Sequence, residues 1–521
     1  MNILMVASEN DALPQCKVGG IADVMRDLPA ALIQKGCAAG VAVPSHGFLC
    51  EQICDLTPVQ KIPFLFADTT FTAVYYQCRD AAGVVNTIVD APEFYHRYAA
   101  GEPARIYCDD VSDAPFATDA VKFAFFSRAV AEGIKHHVFG PVTTVHLHDW
   151  HTAFFLILRR YHQDYKILKK LWTVFTVHNL GIQGIRPFQG HYSSLKSWYP
   201  DLFTFEKNQL ADRRWPDCIN PMAAGIRLAD AVNTVSPTYA REILKPSDPP
   251  VYYGGDGLET DLNLAQKNGR LFGILNGCDY RPAAPVPVYC FPLLIEYFKK
   301  TVRQEMAREE SLRSSLFLTL EKLSAFPVEK YAQPVVLTSI GRMVEQKFFL
   351  LRAAGDENFS ALKGILQGLK NRGIYVLLGT GNRDYASFLT EMSLEYENLI
   401  FLNLYSNACA EMLYANGDLF LMPSSYEPCG ISQMIAMREG QPCVVHGVGG
   451  LNDTVEDRKN GFVFHGDTVA EKADRFVEKC LEAVEMRENH GSAWNAVCTA
   501  AKKTRFTWDK SAERYIHELY R

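Results

Sequence analysis

The chain has 521 residues, a net charge of -6, a pI near 6.2, and 48% hydrophobic against 21% charged side chains. That is too long for one ordinary core, which stops growing at roughly 250 to 300 residues, so two or three domains are expected in a globular protein. The mildly acidic balance argues against nucleic acid or an anionic membrane as the main partner, and any anionic ligand has to be held by local cations.

The fourteen cysteines are scattered, many in apolar runs such as those around Cys443 and Cys480, without a CxxC pair or a Cys/His metal spacing. They read as reduced, buried side chains of an intracellular protein. A strand pattern follows Met1-Asn2 directly, with no basic flank or cleavage site, and no run approaches the roughly 18 apolar residues of a membrane span. A cytoplasmic location is the expectation.

In chain order, residues 3–7 read as a strand, 21–35 as a helix stopped by Gly36, and 38–43 as a second strand. Further strands are expected at 144–147, 173–177 and 231–235, each ending in a polar cluster. This βαβ alternation predicts a parallel, doubly wound sheet. After a proline-rich stretch at 246–250 and Gly254-Gly255-Asp256-Gly257 the rhythm restarts. Strands of a second sheet are expected at 273–275, 335–339, 375–378, 400–403, 419–422 and 444–446, with helices at 360–370 and 408–416. Two Rossmann-like domains joined near residue 245 are the simplest reading, with residues 285–330 a helical part of the second domain or an insertion.

The chemistry-bearing groups fall at the carboxyl ends of these strands, where open α/β sheets bind ligands. Lys17-Val18-Gly19-Gly20 precedes the first helix, and its glycines let backbone amides approach a phosphate that Lys17 also attracts; the plain alternative is a turn with a solvated lysine. His148-Asp149-Trp150-His151 and His178-Asn179 end successive strands, placed to hydrogen-bond sugar hydroxyls, with structural roles as the alternative. In Gly341-Arg342-Met343-Val344-Glu345-Gln346-Lys347 two cations are placed to neutralise a departing diphosphate, or simply to flank a surface loop. Leu378-Gly379-Thr380-Gly381 is a further strand-end glycine turn. Glu427, in Tyr426-Glu427-Pro428-Cys429-Gly430, is the strongest candidate acid, either binding hydroxyls or capping a helix that starts near Gly430. Gly449-Gly450 offers a second backbone-rich edge. No Walker loop, HExxH or GxGxxG with a downstream acid is present.

In order across the chain, residues 17–24, 148–153, 176–184, 229–239, 273–279, 342–347, 427–433 and 449–455 resemble the bacterial glycogen synthases and plant starch synthases. The resemblance implies an α/β GT-B fold of two Rossmann-like domains with an interdomain active-site cleft. It implies an acceptor-side, starch-synthase-type catalytic domain over 1–244, a nucleotide-sugar-binding domain over 245–503, and a terminal helix over 504–521 that crosses back to the first. The implied activity is transfer of glucose from ADP-glucose to the non-reducing end of an α-1,4-glucan, glycogen or a maltooligosaccharide, with retention of configuration.

On that resemblance Lys17, Gly19, Gly20, Asn179, Gly379, Gly449 and Gly450 belong to the donor site. Arg342 and Lys347 stabilise the diphosphate, His178 and Asp149 lie against the donor glucose, and Glu427 binds its hydroxyls beside Cys429 and Gly430. No metal and no cofactor are implied. The chain departs from the family pattern at Phe348, where glycine is usual, at Ser425 and Lys122, where arginine is usual, and at Ala223, where lysine is common. It also lacks the usual Trp-x-Pro at 281–285, and Ile435 stands where the wider superfamily often has a second glutamate. A donor other than ADP-glucose, such as UDP-glucose, and a non-catalytic glucan-binding homologue are the alternatives.

Overall fold

The structure, a computed structural model, describes all residues except 95–103, 109, 111, 281–285, 310, 312, 332, 357 and 358. The departure noted at 281–285 lies outside the described residues. The chain forms two units, one of Met1–Ser247, Gly254–Asp279 and Thr507–Arg521, the other of Asp248–Tyr253 and Tyr280–Phe506.

The first unit is built on β1 (Asn2–Val6), β2 (Ala38–Pro44), β3 (Thr57–Phe66), β4 (Thr69–Arg79), β5 (Val85–Asp90), β6 (Thr144–His148), β7 (Trp172–Val177), β8 (Arg186–Pro187), β9 (Cys218–Ile219), β10 (Ala231–Thr234) and β11 (Leu271–Gly273). Nine of these make one sheet in the order β11-β10-β7-β6-β1-β2-β5-β4-β3, and β8 and β9 pair apart from it. The central strands are parallel, and β4 and β3 extend the sheet as an antiparallel edge. Sequence patterning does not foresee β3. It carries Pro58 and Pro63, which an edge strand accepts because one side of its backbone needs no ladder donor, and its register slips between Pro58 and Gln60.

The segment 273–275, expected in the second sheet, belongs to the first. Val232 faces Leu271 and Thr234 faces Gly273 in parallel register. The Pro/Gly-rich stretch that reads as a linker is a turn closed by Gly255 N–H donating to the Lys245 carbonyl at 2.8 Å, after which the chain returns to the sheet it left. The first unit accordingly runs on to Asp279.

One sheet face packs on the helices Ala117–Lys135, Phe154–Tyr161 and Pro221–Leu228. The other packs on Gly20–Gln34 and on the C-terminal helix Trp508–Arg514, whose Ala512 is buried with the following Tyr515, Leu519 and Tyr520. Hydrogen bonds fix that segment. Ser511 Oγ donates to the Leu275 carbonyl at 2.7 Å, and Trp172 Nε1 donates to the Leu519 carbonyl at 2.7 Å.

The second unit has β12 (Val335–Ile340), β13 (Gly373–Leu378), β14 (Leu399–Leu402), β15 (Leu419–Met422), β16 (Cys443–His446) and β17 (Gly461–Phe464). They form a parallel sheet in the order β14-β13-β12-β15-β16-β17. Residues 285–330 are helical where described: Phe291–Met306 and Ser314–Ser324 lay Phe298, Val302 and Leu316 on Ile374, Val376 and Ile400 of one face. The helices Ala361–Leu369 and Val469–Asn489 cover the other. Among the described residues no helix is long and apolar enough to cross a membrane.

Candidate functional site

In the first unit the carboxyl ends of β1, β6 and β7 carry the candidate groups. Between β1 and helix Gly20–Gln34 the loop is organised by a residue without a sequence signal, Glu9. Its buried carboxylate accepts from the amides of Val18 and Gly19, both at 2.6 Å, and from the Tyr107 hydroxyl at 2.6 Å. The Gly19 amide, expected to face a phosphate, is therefore committed to an internal anion. Gly20 opens the helix with open space where a side chain would be. Lys17 lies exposed between two carboxylates, 3.0 Å from Asp11 and 2.7 Å from Asp23. Partial burial acts against its charge, but Asp23 and Asp11 outweigh it and hold the ammonium above its usual range.

Asp149 is turned inward at the end of β6. It sits between β6 and the turn Trp150–Thr152 at φ 55°, a strained conformation for a residue with a side chain. Its carboxyl is buried and accepts from the His178 amide at 2.7 Å. Burial pushes this carboxyl up to about 8, against the lowering effect of the His178 and Asn179 amides. Asp149 thus positions the loop after β7. Asn179 uses its own side chain to accept from the Gly181 amide at 2.9 Å.

His178 is half-buried and shares a hydrogen bond between its Nε2 and Nδ1 of His148, at 2.9 Å. His148 lies against His146, ring centroids 4.1 Å apart, and His146 is held by Tyr520 Oη at 2.8 Å and Thr176 Oγ1 at 2.7 Å. Burial pushes His178 down to about 3, so near neutral pH it is an uncharged hydrogen-bonding group rather than a cation.

The Asp149 geometry predicts a difference between two substitutions. Asp149→Ala leaves the His178 amide without its acceptor at a positive φ that Ala adopts poorly, and lowers turnover about a hundredfold. Asp149→Asn keeps an acceptor oxygen and mimics a carboxyl already protonated at pH 7, so it stays within about tenfold of wild type. Steady-state kinetics check this, and an Asn variant as impaired as the Ala variant contradicts it.

In the second unit Glu427 follows β15. The helix after it begins at Ser432 with no side-chain cap, so Glu427 is not a helix cap. Its buried carboxylate instead receives Lys347 Nζ and the Ser424 hydroxyl, the latter at 3.1 Å, on the same oxygen, Oε2. Its Oε1 has no partner among the described residues. The pair is locked in place because Ser425 N–H donates to the Gln346 carbonyl at 2.8 Å and Gln346 Nε2 to the Tyr426 carbonyl at 3.1 Å. His446, at the end of β16, meets the Ser424 carbonyl at 2.9 Å, and burial pushes it down to about 4. Arg342 is exposed in the loop after β12, with no ion-pair partner among the described residues.

Two glycines explain their own identity. Gly449 has φ 46°, and a Cβ there would collide with the Glu427 carbonyl, while the next residue, Gly450, donates its N–H to that carbonyl at 3.0 Å. A Cβ on Gly379 would collide with the Gly341 carbonyl, so the glycine turn after β13 lies directly on the Arg342 loop. Cys429 is buried, and Gly430 adopts φ 74° ahead of helix Ser432–Glu439. Tyr405, just past β14, exposes its ring at the same sheet edge. A single aromatic has no spacing that marks it in sequence. Among the described residues no group of three or more His, Cys, Asp or Glu is arranged to hold a metal ion.

The departures resolve differently. Phe348 lies inside helix Glu345–Arg352, with its ring in the core, so no positive φ is needed there. Ala223 is buried in helix Pro221–Leu228. Lys122 is buried, paired with Asp119 at 2.9 Å. Ser425 is buried and its hydroxyl has no partner among the described residues. Ile435 packs beside the small apolar cluster around Met422, Ala436 and Val445.

Two Rossmann-like sheets with sugar-type hydrogen-bonding groups and cations at their carboxyl edges define a glycosyltransferase of the GT-B class. The chain matches the starch synthase catalytic domain family over residues 2–264 and the glycosyl transferases group 1 family over residues 325–494. It is 32% identical to the glycogen synthase of Streptococcus gordonii (strain Challis) over 545 residues, covering 100% of this chain and 99% of that protein. It is 33% identical to the glycogen synthase of Anaeromyxobacter sp. (strain Fw109-5) over 533 residues, again 100% and 99%. The catalytic domain of starch synthase IV from Arabidopsis thaliana, solved bound to ADP and acarbose, shares the fold with a TM-score of 0.75 at 24% identity, over 99% of this chain and 98% of that one. The chain belongs to the glycogen synthase and starch synthase family.

Proposed function

We propose that the protein is a glycogen synthase that transfers glucose from ADP-glucose to the 4-hydroxyl at the non-reducing end of an α-1,4-glucan, with retention. The observation that carries this is the Glu427 carboxylate, held on one oxygen by Lys347 and Ser424 and open on the other, in the unit that also presents Arg342. A carboxylate with a free oxygen accepts sugar hydroxyls, and two cations answer a diphosphate. Relatives named glycogen synthase support the reaction, and a neighbour solved with ADP supports the adenine nucleotide.

In the reaction the acceptor O4 bonds to C1 of the donor glucose as the bond from C1 to the diphosphate oxygen breaks. The bonding electrons leave with the diphosphate, and the O4 proton passes to a phosphate oxygen. Arg342 and Lys347 stabilise the charge that develops, Glu427 orients the glucose, and Gly379, Cys429, Gly430, Gly449 and Gly450 shape the backbone around it. Lys17 adds a cation, with Gly19 and Gly20 beside it, and His178 and Asn179 contribute neutral hydrogen-bonding groups that Asp149 positions. No metal or cofactor takes part, and cations fill the role a metal would have.

The test incubates purified protein with ADP-glucose or UDP-glucose and maltoheptaose, with and without EDTA. The expected result is ADP release matched by chain extension and insensitive to EDTA. Equal efficiency with UDP-glucose reassigns the donor, loss with EDTA reassigns the cation chemistry, and no turnover with either donor removes the enzyme reading.

A further inference from the structure

Three histidines of the first unit, His146 and His148 on β6 and His178 just past β7, form one contiguous group. Burial holds all three below the ordinary histidine range, so near pH 7 each ring is neutral and carries a single proton. Which nitrogen carries it follows from what each nitrogen can meet.

His146 is settled by the C-terminal segment. The Tyr520 hydroxyl, which burial keeps protonated, lies 2.8 Å from His146 Nδ1 and has no other hydrogen-bond partner among the described residues. A buried O–H needs an acceptor, so it donates to Nδ1, and His146 keeps its own proton on Nε2, which donates to Thr176 Oγ1 at 2.7 Å. Thr176 Oγ1 also accepts from Asn233 Nδ2 at 3.3 Å. Both nitrogens of His146 are thereby occupied. It offers His148 a ring to pack on, with centroids 4.1 Å apart, but no acceptor.

His148 is buried, with Nδ1 2.9 Å from His178 Nε2 and with Nε2 meeting no partner among the described residues. Orphaned buried N–H groups are rarer in folded proteins than unused lone pairs. The His148 proton therefore sits on Nδ1 and is donated to His178 Nε2. His178 in turn keeps its proton on Nδ1, the nitrogen that has no partner among the described residues, in a side chain only half-buried.

We propose that His148 is a positioning residue for the glucosyl transfer: by donating to His178 Nε2 it fixes the His178 proton on Nδ1, so that His178 meets the donor sugar as an N–H donor and selects an oxygen acceptor there. The role in transfer rests on the glucan synthase reading, whereas the placement of the proton does not. A free histidine side chain favours the opposite form, protonated on Nε2, so the form bound here is imposed by the partner at that nitrogen. A ring at His148 that merely filled buried space would have no such effect.

The full chain is labelled with nitrogen-15 histidine and read by long-range proton–nitrogen correlation spectra, with the His178 signals identified by their loss in His178→Asn. Wild type is expected to show His178 protonated on Nδ1. His148→Leu, which removes the donor, is expected to move that proton to Nε2 and to lower kcat about thirtyfold, with KM for the nucleotide sugar within about threefold. His148→Asn puts an amide N–H close to the place of Nδ1 and is expected to restore the Nδ1 form and to bring kcat within about threefold of wild type. A wild type with His178 protonated on Nε2 overturns the proposal, and that spectrum needs no His148 variant to fold. So does a folded His148→Leu variant that keeps the Nδ1 form, or one that changes form with kcat unaltered. A wild type in the Nδ1 form that releases no nucleotide removes the transfer reading and the positioning role with it, whereas turnover in the Nε2 form removes the positioning role alone.

Discussion

Replacing Glu427 with alanine is expected to lower kcat by about a thousandfold while changing KM for the nucleotide sugar by less than about tenfold. Two losses combine. The carboxylate's open oxygen no longer accepts sugar hydroxyls, and a charge-assisted hydrogen bond of that kind contributes about 1.5 to 3 kcal/mol. Lys347 and the Ser424 hydroxyl also lose the atom that fixes them. Lys347 keeps its charge and is still drawn to a diphosphate, which is why affinity falls less than rate.

Glu427→Gln retains an acceptor but not the charge that anchors Lys347, so its turnover falls between the two. A misfolded variant would lose the far-ultraviolet circular dichroism of the parallel sheet and its helices, and an Ala variant that keeps its spectrum separates chemistry from stability. Turnover above a tenth of wild type in that variant contradicts the role given to Glu427.

What the sequence revealed follows from what is local in a chain. The runs at 335–339, 375–378, 400–403, 419–422 and 444–446 are apolar because strands buried on both faces must be, and each lies on an observed strand of the second sheet. The strands β3 and β4 lack that signature, since an antiparallel edge alternates and accepts proline. The segment at 271–273 is short, and whether it joins one sheet or the other depends on a turn closed by hydrogen bonds that spacing does not encode.

The site divides along the same line. Lys347 and Glu427 are each visible near a strand end, but their pairing joins residues 80 apart in the chain. Glu9 is a lone glutamate until the fold brings the Val18 and Gly19 amides and Tyr107 to its carboxylate. Phe348, where the family usually has glycine, also takes its meaning from the fold. In a helix interior that position places no demand on φ, and the larger side chain fills core.

Unfolding free energy is expected to fall steeply as pH drops from 6.5 to about 4, measured by urea titration at pH 7, 6, 5 and 4.5. Burial holds His178 down to about 3 and His446 to about 4, and holds His46, His146, His148 and His151 well below the ordinary histidine range. In the unfolded chain all six regain a value near 6.5. Between the folded and unfolded values the unfolded chain therefore binds more protons, and stability that is fully present above pH 6.5 is lost as pH falls, by up to about 1.4 kcal/mol per pH unit for each histidine.

Asp149 works in the other direction. Its folded value of about 8 lies above that of an unfolded aspartate, so its contribution is present at low pH and is lost as pH rises through 8. Asp23 and Asp418, also raised by burial despite nearby cations, have the same sign as Asp149. Six histidines outweigh three carboxyls between pH 6.5 and 4, whereas above 6.5 the histidines are silent, which puts the stability maximum near pH 6.5.

His446→Asn tests the attribution. It removes one titrating group whose only hydrogen bond among the described residues is to the Ser424 carbonyl, and should flatten the acid slope by about 1.4 kcal/mol per pH unit without moving the maximum. A urea midpoint constant from pH 6.5 to 4.5 would show that these rings take up protons in the folded state. The depression by burial assigned to His178 would then fall with the stability argument.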